Sequence, residues 1–350
     1  MSSRKKGRVA PARAGPMAAG GEPEPRPPRG VPSDSRASSP ARPWLRTTTT
    51  VAIALLLLTA FLVQAFSTLQ TTAPTFDEVA HLPAGYAELT TGAVVFNQEH
   101  PPLAKLIAAA ALWPKGGQLD SLIPNWRRLD EWTFGFDFLF ARGRDPTAIM
   151  TRARRGPILI GLLLCVVCFI WSTRLYGPAG GLFTLALCVF SPTLLAHARL
   201  VTTDVPVAAF GALTALAAWE MMQRANLRRA AGAGAALGAT LASKFSGVLF
   251  IPALGLPVAA VVWSRWRRLR PRTEARRAGL RRTVGLSTVI FAVAGLIVVL
   301  SYGWPLSFSG YWDGFSVVRA HQLPDYQSFL LGRFRDGRFP LYFPIAFLLK

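Results

Sequence analysis

Acidic side chains are scarce in this chain of 350 residues: Asp and Glu number 18 against 39 Lys and Arg, a formal net charge of +21. Charge of either sign is thin, at 16% of residues where soluble domains carry about 25%. Apolar residues make up 51% and mean hydropathy is +0.32, more apolar surface than a water-soluble protein of this size can hide. Both a disordered chain and an ordinary cytosolic enzyme are disfavoured. Cysteine is nearly absent. Cys165, Cys168 and Cys188 all lie in apolar runs and read as small buried hydrophobes. The CxxC spacing of the first two has no second pair or neighbouring His to make a zinc or redox site. No Gly-rich strand–loop–helix unit for a nucleotide is present, nor a visible internal repeat of broken helices.

Long apolar runs dominate what remains. Residues 1–46 form a Pro-, Ala- and Arg-rich tail with ten basic and three acidic residues, expected to be a disordered cytoplasmic segment. Val51–Phe66 with its flanks reaches the length of a bilayer crossing and predicts a retained signal-anchor helix with the N-terminus inside. Six further spanning runs are expected at Gly156–Thr173, Pro178–Ala198, Val205–Met222, Ala230–Ser243, Val248–Trp263 and Val284–Tyr302. Leu341–Leu349 is too short to cross, which predicts an eighth membrane segment cut by the chain's end. Gly234 and Gly238 have the GxxxG spacing of close helix packing.

Leu103–Trp113 is different: eleven residues after Pro101-Pro102, containing Lys105. It is too short to cross and predicts an interfacial helix. If it does not cross, the nine arginines of Arg265–Arg282 share the side of the N-terminal tail, as the positive-inside rule requires. The expected fold is therefore an all-α polytopic membrane protein. A first extracytoplasmic loop spans 68–155 and a second 303–340, within a multi-pass domain of residues 47–350. The first loop balances nine basic against nine acidic residues.

Four patches carry candidate chemistry. Asp77 and Glu78 are adjacent carboxylates in Thr75-Phe76-Asp77-Glu78. One can take a proton from a hydroxyl while its neighbour orients substrate or a metal, but Thr75 and Glu78 also have capping-box spacing. His100-Pro101-Pro102-Leu103-Ala104-Lys105 starts a helix whose first N–H groups and Lys105 suit an anion. Lys105 can equally snorkel to head groups. Arg152, Arg154 and Arg155 precede the Gly156 helix where basic residues break the inside bias, and so suit phosphate or lipid head groups. Asp204 lies in a short turn after His197, and can serve a site or simply start the next helix. Lys244 is too deep in the membrane to be cheap unless paired or solvated. On the expected topology all of these converge on one membrane face, which points to a phosphate-bearing lipid substrate.

The ordered set resembles the phospholipid-carrier-dependent glycosyltransferases (glycosyltransferase family 39-like), which include protein O-mannosyltransferases and the aminoarabinose transferases of lipid A. It comprises Thr75–Glu78, His100–Lys105, Ala153-Arg154, Ser191-Pro192 through Arg199 and Asp204, and Gly238 through Lys244-Phe245-Ser246-Gly247. The resemblance covers roughly residues 50–250. It implies a GT-C-type fold with interfacial helices in the first outer loop. It also implies a polyprenyl-phosphate sugar donor, a protein, lipid or glycan acceptor, and inverting transfer to a hydroxyl. By carry-over Asp77 is the catalytic base, with Glu78 beside it. His100, Lys105, Arg154, Asp204 and Lys244 would bind the substrate or its lipid phosphate. No cofactor is certain. A divalent metal ion is an open option, with Glu78 and His100 as candidates. Members of the family are longer, with further helices after the region matched here. Nucleic acid is not an expected partner, and an Arg- and Ala-rich composition points to a bacterial inner membrane. A polytopic transporter or lipid flippase, or a non-catalytic relative, is the alternative.

Overall fold

The computed structural model describes residues 43–113, 123, 126–141, 143–267, 274–303, 306–320, 327–336 and 339–349. The tail expected over 1–46 lies almost wholly outside them, as does the middle of the Arg265–Arg282 stretch. The compact unit runs from Arg46 to Lys350, and helices account for nearly all of its regular structure.

Helix α1 spans Pro43–Ser67, and a short 3-10 turn, Leu69–Thr71, follows it. Among the described residues, the segment expected to be the first outer loop holds the helices α2 (Phe76–Thr91), α3 (Leu103–Ala110), α4 (Glu131–Phe140) and α5 (Pro146–Ala153). Each starts for a local reason. Asp130 accepts from the amides of Trp132 and Thr133, and Asp145 from that of Ala148. Both satisfy N–H groups that a first turn leaves unpaired. Helix α2 ends at Gly92, in the left-handed region at φ 73°, whose N–H returns to the Glu88 carbonyl. Leu82, Tyr86, Phe96, Trp126, Phe134, Phe138 and Met150 close a core of their own under these helices. Helices α3 and α4 lie hard against α2. A Cβ on Gly85 would meet the Lys105 carbonyl oxygen at 2.5 Å, and one on Gly135 would collide with that of Val79.

The expected interfacial segment forms only the eight residues of α3, far short of a bilayer crossing. Its Ala104, Lys105, Ala108 and Ala109 are buried. The exposed aromatic face belongs to α4 instead: Trp132, Phe136 and Phe140 at helical spacing, with Phe76 stacked on Trp132 at 4.2 Å.

The apolar body follows. Helix α6, Arg155–Val189, is continuous in hydrogen bonding but broken at Gly177 (φ 77°, ψ 179°), before Pro178. Residues 155–176 and 178–189 fold back on each other. Thr184 Oγ1 bonds Ser172 Oγ at 2.8 Å, and Gly181 sits against Phe169 and Thr173. The two runs expected on either side of this point are thus separate legs. Then come α7 (Pro192–Ala198), α8 (Asp204–Gln223), α9 (Leu227–Ser243), a 3-10 turn (Phe245–Leu249), α10 (Phe250–Arg267) and α11 (Glu274–Ser301). Gly234 and Gly238 do pack as their spacing predicts, against Ile290 and against Ala294 and Ile297 of α11. Among the described residues four segments are long and apolar enough to cross a membrane: Thr47–Thr71, Pro146–Val189 (which contains the hairpin), Asp204–Gln223 and Arg277–Ser301. Helix α12 (Ser309–Ala320) and α13 (Tyr342–Leu349) flank an antiparallel pair, β1 (Gln327–Leu330) and β2 (Arg333–Asp336). That hairpin is a small departure from the all-helical expectation.

Candidate active site

Glu78 and Arg154 are both fully buried and face each other. Arg154 Nε donates to Oε1 at 2.9 Å and Nη2 to Oε2 at 2.6 Å, while its remaining donors reach the carbonyls of Thr72 and Ala73. Glu78 also accepts from the Thr75 amide and hydroxyl, each at 3.0 Å, and from the Val201 amide at 2.9 Å. Thus the capping box expected at Thr75 is present. Every lone pair of the Glu78 carboxylate and four of the five guanidinium N–H donors are taken. Neither is presented to an open surface: the pair locks the start of α2 to the α5–α6 junction.

Val201 is held from a second side. With the proton on Nδ1, His81 donates to the Val201 carbonyl at 2.9 Å. The short turn before α8 is therefore clipped to α2 through both groups of one residue. His81 is buried, and its ring meets that of His100 edge-on at 4.8 Å between centroids. Burial lowers the affinity of His81 for a proton, against the pull of the Val201 carbonyl, and Asp77 lies within electrostatic reach. His100 is pushed down to about 3, first by burial and then by the positive neighbours His81, Lys105 and Lys244, with Asp204 opposing. It is a neutral imidazole at physiological pH.

Asp77 itself is exposed on the first turn of α2. Asp204 opens α8, and Lys244 Nζ lies 2.5 Å from its Oδ1. Lys244 sits in extended backbone (φ −157°, ψ 140°) between α9 and the 3-10 turn, which throws its side chain across to α8. Gly247 makes that turn tight: a Cβ there would stand 2.6 Å from the Thr240 carbonyl oxygen. The structure thus gathers Asp77, His81, His100, Asp204 and Lys244, which come from α2, the 97–102 turn, α8 and the end of α9.

Two expected members stand elsewhere. Arg154 is in the lock with Glu78. Lys105 is buried within the loop core and donates to the Asn97 carbonyl at 2.8 Å, with Glu88, Glu99 and Glu131 around it. Burial lowers its proton affinity and raises that of Glu88. The metal candidates do not make a ligand set. The Glu78 oxygens already accept from Arg154, Thr75 and Val201, and among the described residues no three His, Cys, Asp or Glu cluster in a way that suits a metal ion. His81 was not among the residues expected to act. Its helical spacing of four from Asp77 is the signal that finds it.

Residues 148–300 match the family described as dolichyl-phosphate-mannose-protein mannosyltransferase. A chain from the S. cerevisiae protein O-mannosyltransferase Pmt1–Pmt2 complex bound to the sugar donor superposes on 76% of this one. The TM-score is 0.56 and the identity 17%. The fold is of the GT-C type. The GT-C body here spans 34% of the yeast chain's length. No curated protein matches. Together the family match and the GT-C likeness support the family 39-like resemblance read from the sequence.

Proposed function

We propose that this chain carries the donor half of a membrane glycosyltransferase site. Its reaction would move a sugar from a polyprenyl phosphate to an acceptor hydroxyl at the outer membrane face. The observation that carries this reading is the meeting of an exposed carboxylate, Asp77, with a lysine–aspartate pair, Lys244–Asp204, around a neutral imidazole. One membrane face then offers a base and an anion-binding cation, the two groups that transfer from a lipid phosphate needs.

In this mechanism Asp77 takes the proton of the acceptor hydroxyl as its oxygen attacks the anomeric carbon. The new carbon–oxygen bond forms as the bond from that carbon to the phosphate oxygen breaks on the opposite side, so the anomeric centre inverts. The electron pair leaves with the polyprenyl phosphate, and Lys244 stabilises its growing charge. Asp204 holds the lysine in place before the phosphate arrives. His100, uncharged, is free to hydrogen-bond sugar hydroxyls. Glu78 and Arg154 position Asp77 through the backbone of α2. No step runs through a metal ion.

The test is transfer from radiolabelled polyprenyl-phosphate sugars by membranes holding wild type or Asp77→Asn. The variant is expected to insert normally and lose transfer. Unchanged transfer removes Asp77 from the mechanism. Movement of labelled lipid across the bilayer without any transfer would favour a flippase.

A further inference from the structure

On the other half of the bundle, away from Asp204, helix α10 leans on α8 while α11 packs on α9. The groove left between them has a volume of about 780 Å³. Ala218, Met222 and Leu237 form its floor, and Leu254, Leu286 and Ile290 its walls. Inside a bilayer hydrocarbon can fill an open apolar groove of this kind, whereas water or a polar group would enter it only at a desolvation cost.

The mouth of the groove says which lipid. Ala225, Gly279 and Leu280 line that end, and their neighbours Arg224, Arg281 and Arg282 are exposed. Arg282 Nη2 also donates to the Ala225 carbonyl at 2.6 Å, which ties the start of α11 to the α8–α9 turn and brings these arginines together. Nearby Glu220 is already engaged by Arg174 and Arg229. The mouth therefore keeps a positive excess at the depth where lipid phosphates lie.

We infer that the groove binds an anionic glycerophospholipid from the leaflet at the arginine end, its acyl chain between α10 and α11 and its phosphate on Arg224, Arg281 and Arg282. The length of α8 separates this mouth from Asp204 by roughly 30 Å. A polyprenyl phosphate held at Lys244 would put its charge at the other end. The inference rests on the chain's spanning a membrane and not on the transfer reaction.

Native mass spectrometry of the full chain in neutral detergent tests it, with phosphatidylglycerol, phosphatidylcholine and a polyprenyl phosphate as probes. Phosphatidylglycerol is expected to be retained over phosphatidylcholine, by about fivefold for each arginine engaged. Arg224→Gln/Arg281→Gln should cut the preference by more than tenfold, leaving at most the contribution of Arg282, whose bond to the Ala225 carbonyl stays in place. In wild type alone, the preference should shrink as salt rises, a result that does not depend on any variant folding. Asp77→Asn should keep the same lipid preference, so failure of transfer and failure of lipid binding are read separately. Equal retention of the two phospholipids by wild type, a preference undiminished by the double substitution, or displacement of phosphatidylglycerol by the polyprenyl phosphate would overturn the inference.

Discussion

Lys244, at the end of one apolar helix, places its ammonium 2.5 Å from Asp204 Oδ1 at the start of another, forty residues earlier in the chain. The pair is partly open to solvent, so it adds little to stability, at most about 1 kcal/mol. Its value is positional. Lys244→Met is expected to lower kcat/KM for the lipid-linked donor by about two to three orders of magnitude while the melting temperature hardly moves. Lys244→Arg should recover part of the loss. Initial rates over a donor concentration series, alongside a thermal melt, separate the two effects.

The lock between Glu78 and Arg154 should behave in the opposite way. Removing one partner leaves a charge buried and unpaired, at a cost of about 3–5 kcal/mol. Arg154→Met or Glu78→Gln should therefore unfold at markedly lower temperature, and Arg154→Lys should not rescue, because one ammonium cannot make the paired contacts. The Glu78→Gln/Arg154→Met double variant is expected to lose less than the sum of the two. Additive losses in a double-mutant cycle would show that the contact is not energetically coupled.

His100 gives a pH dependence of known sign. Its folded pKa of about 3 lies below the ordinary 6.5. As pH falls below 6.5 the unfolded chain takes up a proton that the folded one refuses. Stability present above pH 6.5 is then lost progressively down to about pH 3, by up to about 1.4 kcal/mol per unit. Burial of His81 acts with the same sign. His100→Asn should flatten part of this acid loss, which melting temperatures measured from pH 7.5 to 4.5 would reveal.

Close backbone approach makes a second structural test. Gly135→Ala would drive a methyl into the Val79 carbonyl, and should cost about 1–3 kcal/mol by forcing α4 off α2. Gly232→Ala, where a Cβ meets nothing within 4 Å, should cost nothing and can add about 0.5–1 kcal/mol. Loss of transfer in the first variant with an intact melt would mean that α4 serves the site rather than the fold.

Much of this layout is legible in the sequence because apolar length and charge bias are properties of single segments. The runs around Val51–Phe66, Gly156–Thr173 and Val284–Tyr302 appear as helices, and the GxxxG pair meets a neighbouring helix. Asp77, His100, Asp204 and Lys244 could be named from local motifs, and the fold brings them to one place. Partner choice is another matter. Arg154 reads as a phosphate ligand from its position beside Arg152 and Arg155, but the two neighbours are exposed while it is buried against a carboxylate 76 positions away. Lys105 likewise looks like a surface cation until the packing of α3 on α2 turns it inward. Period and composition say which residues are polar. They do not say which polar residues spend their charge on one another, since that depends on contacts distant in sequence.

Val201 contributes no side-chain chemistry, yet its peptide joins two otherwise independent pieces: Glu78 takes its N–H and His81 reaches its carbonyl. Asp77 on α2 and the aspartate that opens α8 therefore ride on a common frame. In the proposed reaction a sugar donor would thus meet groups already tied to one frame, with less orientational entropy to lose at the moment of transfer.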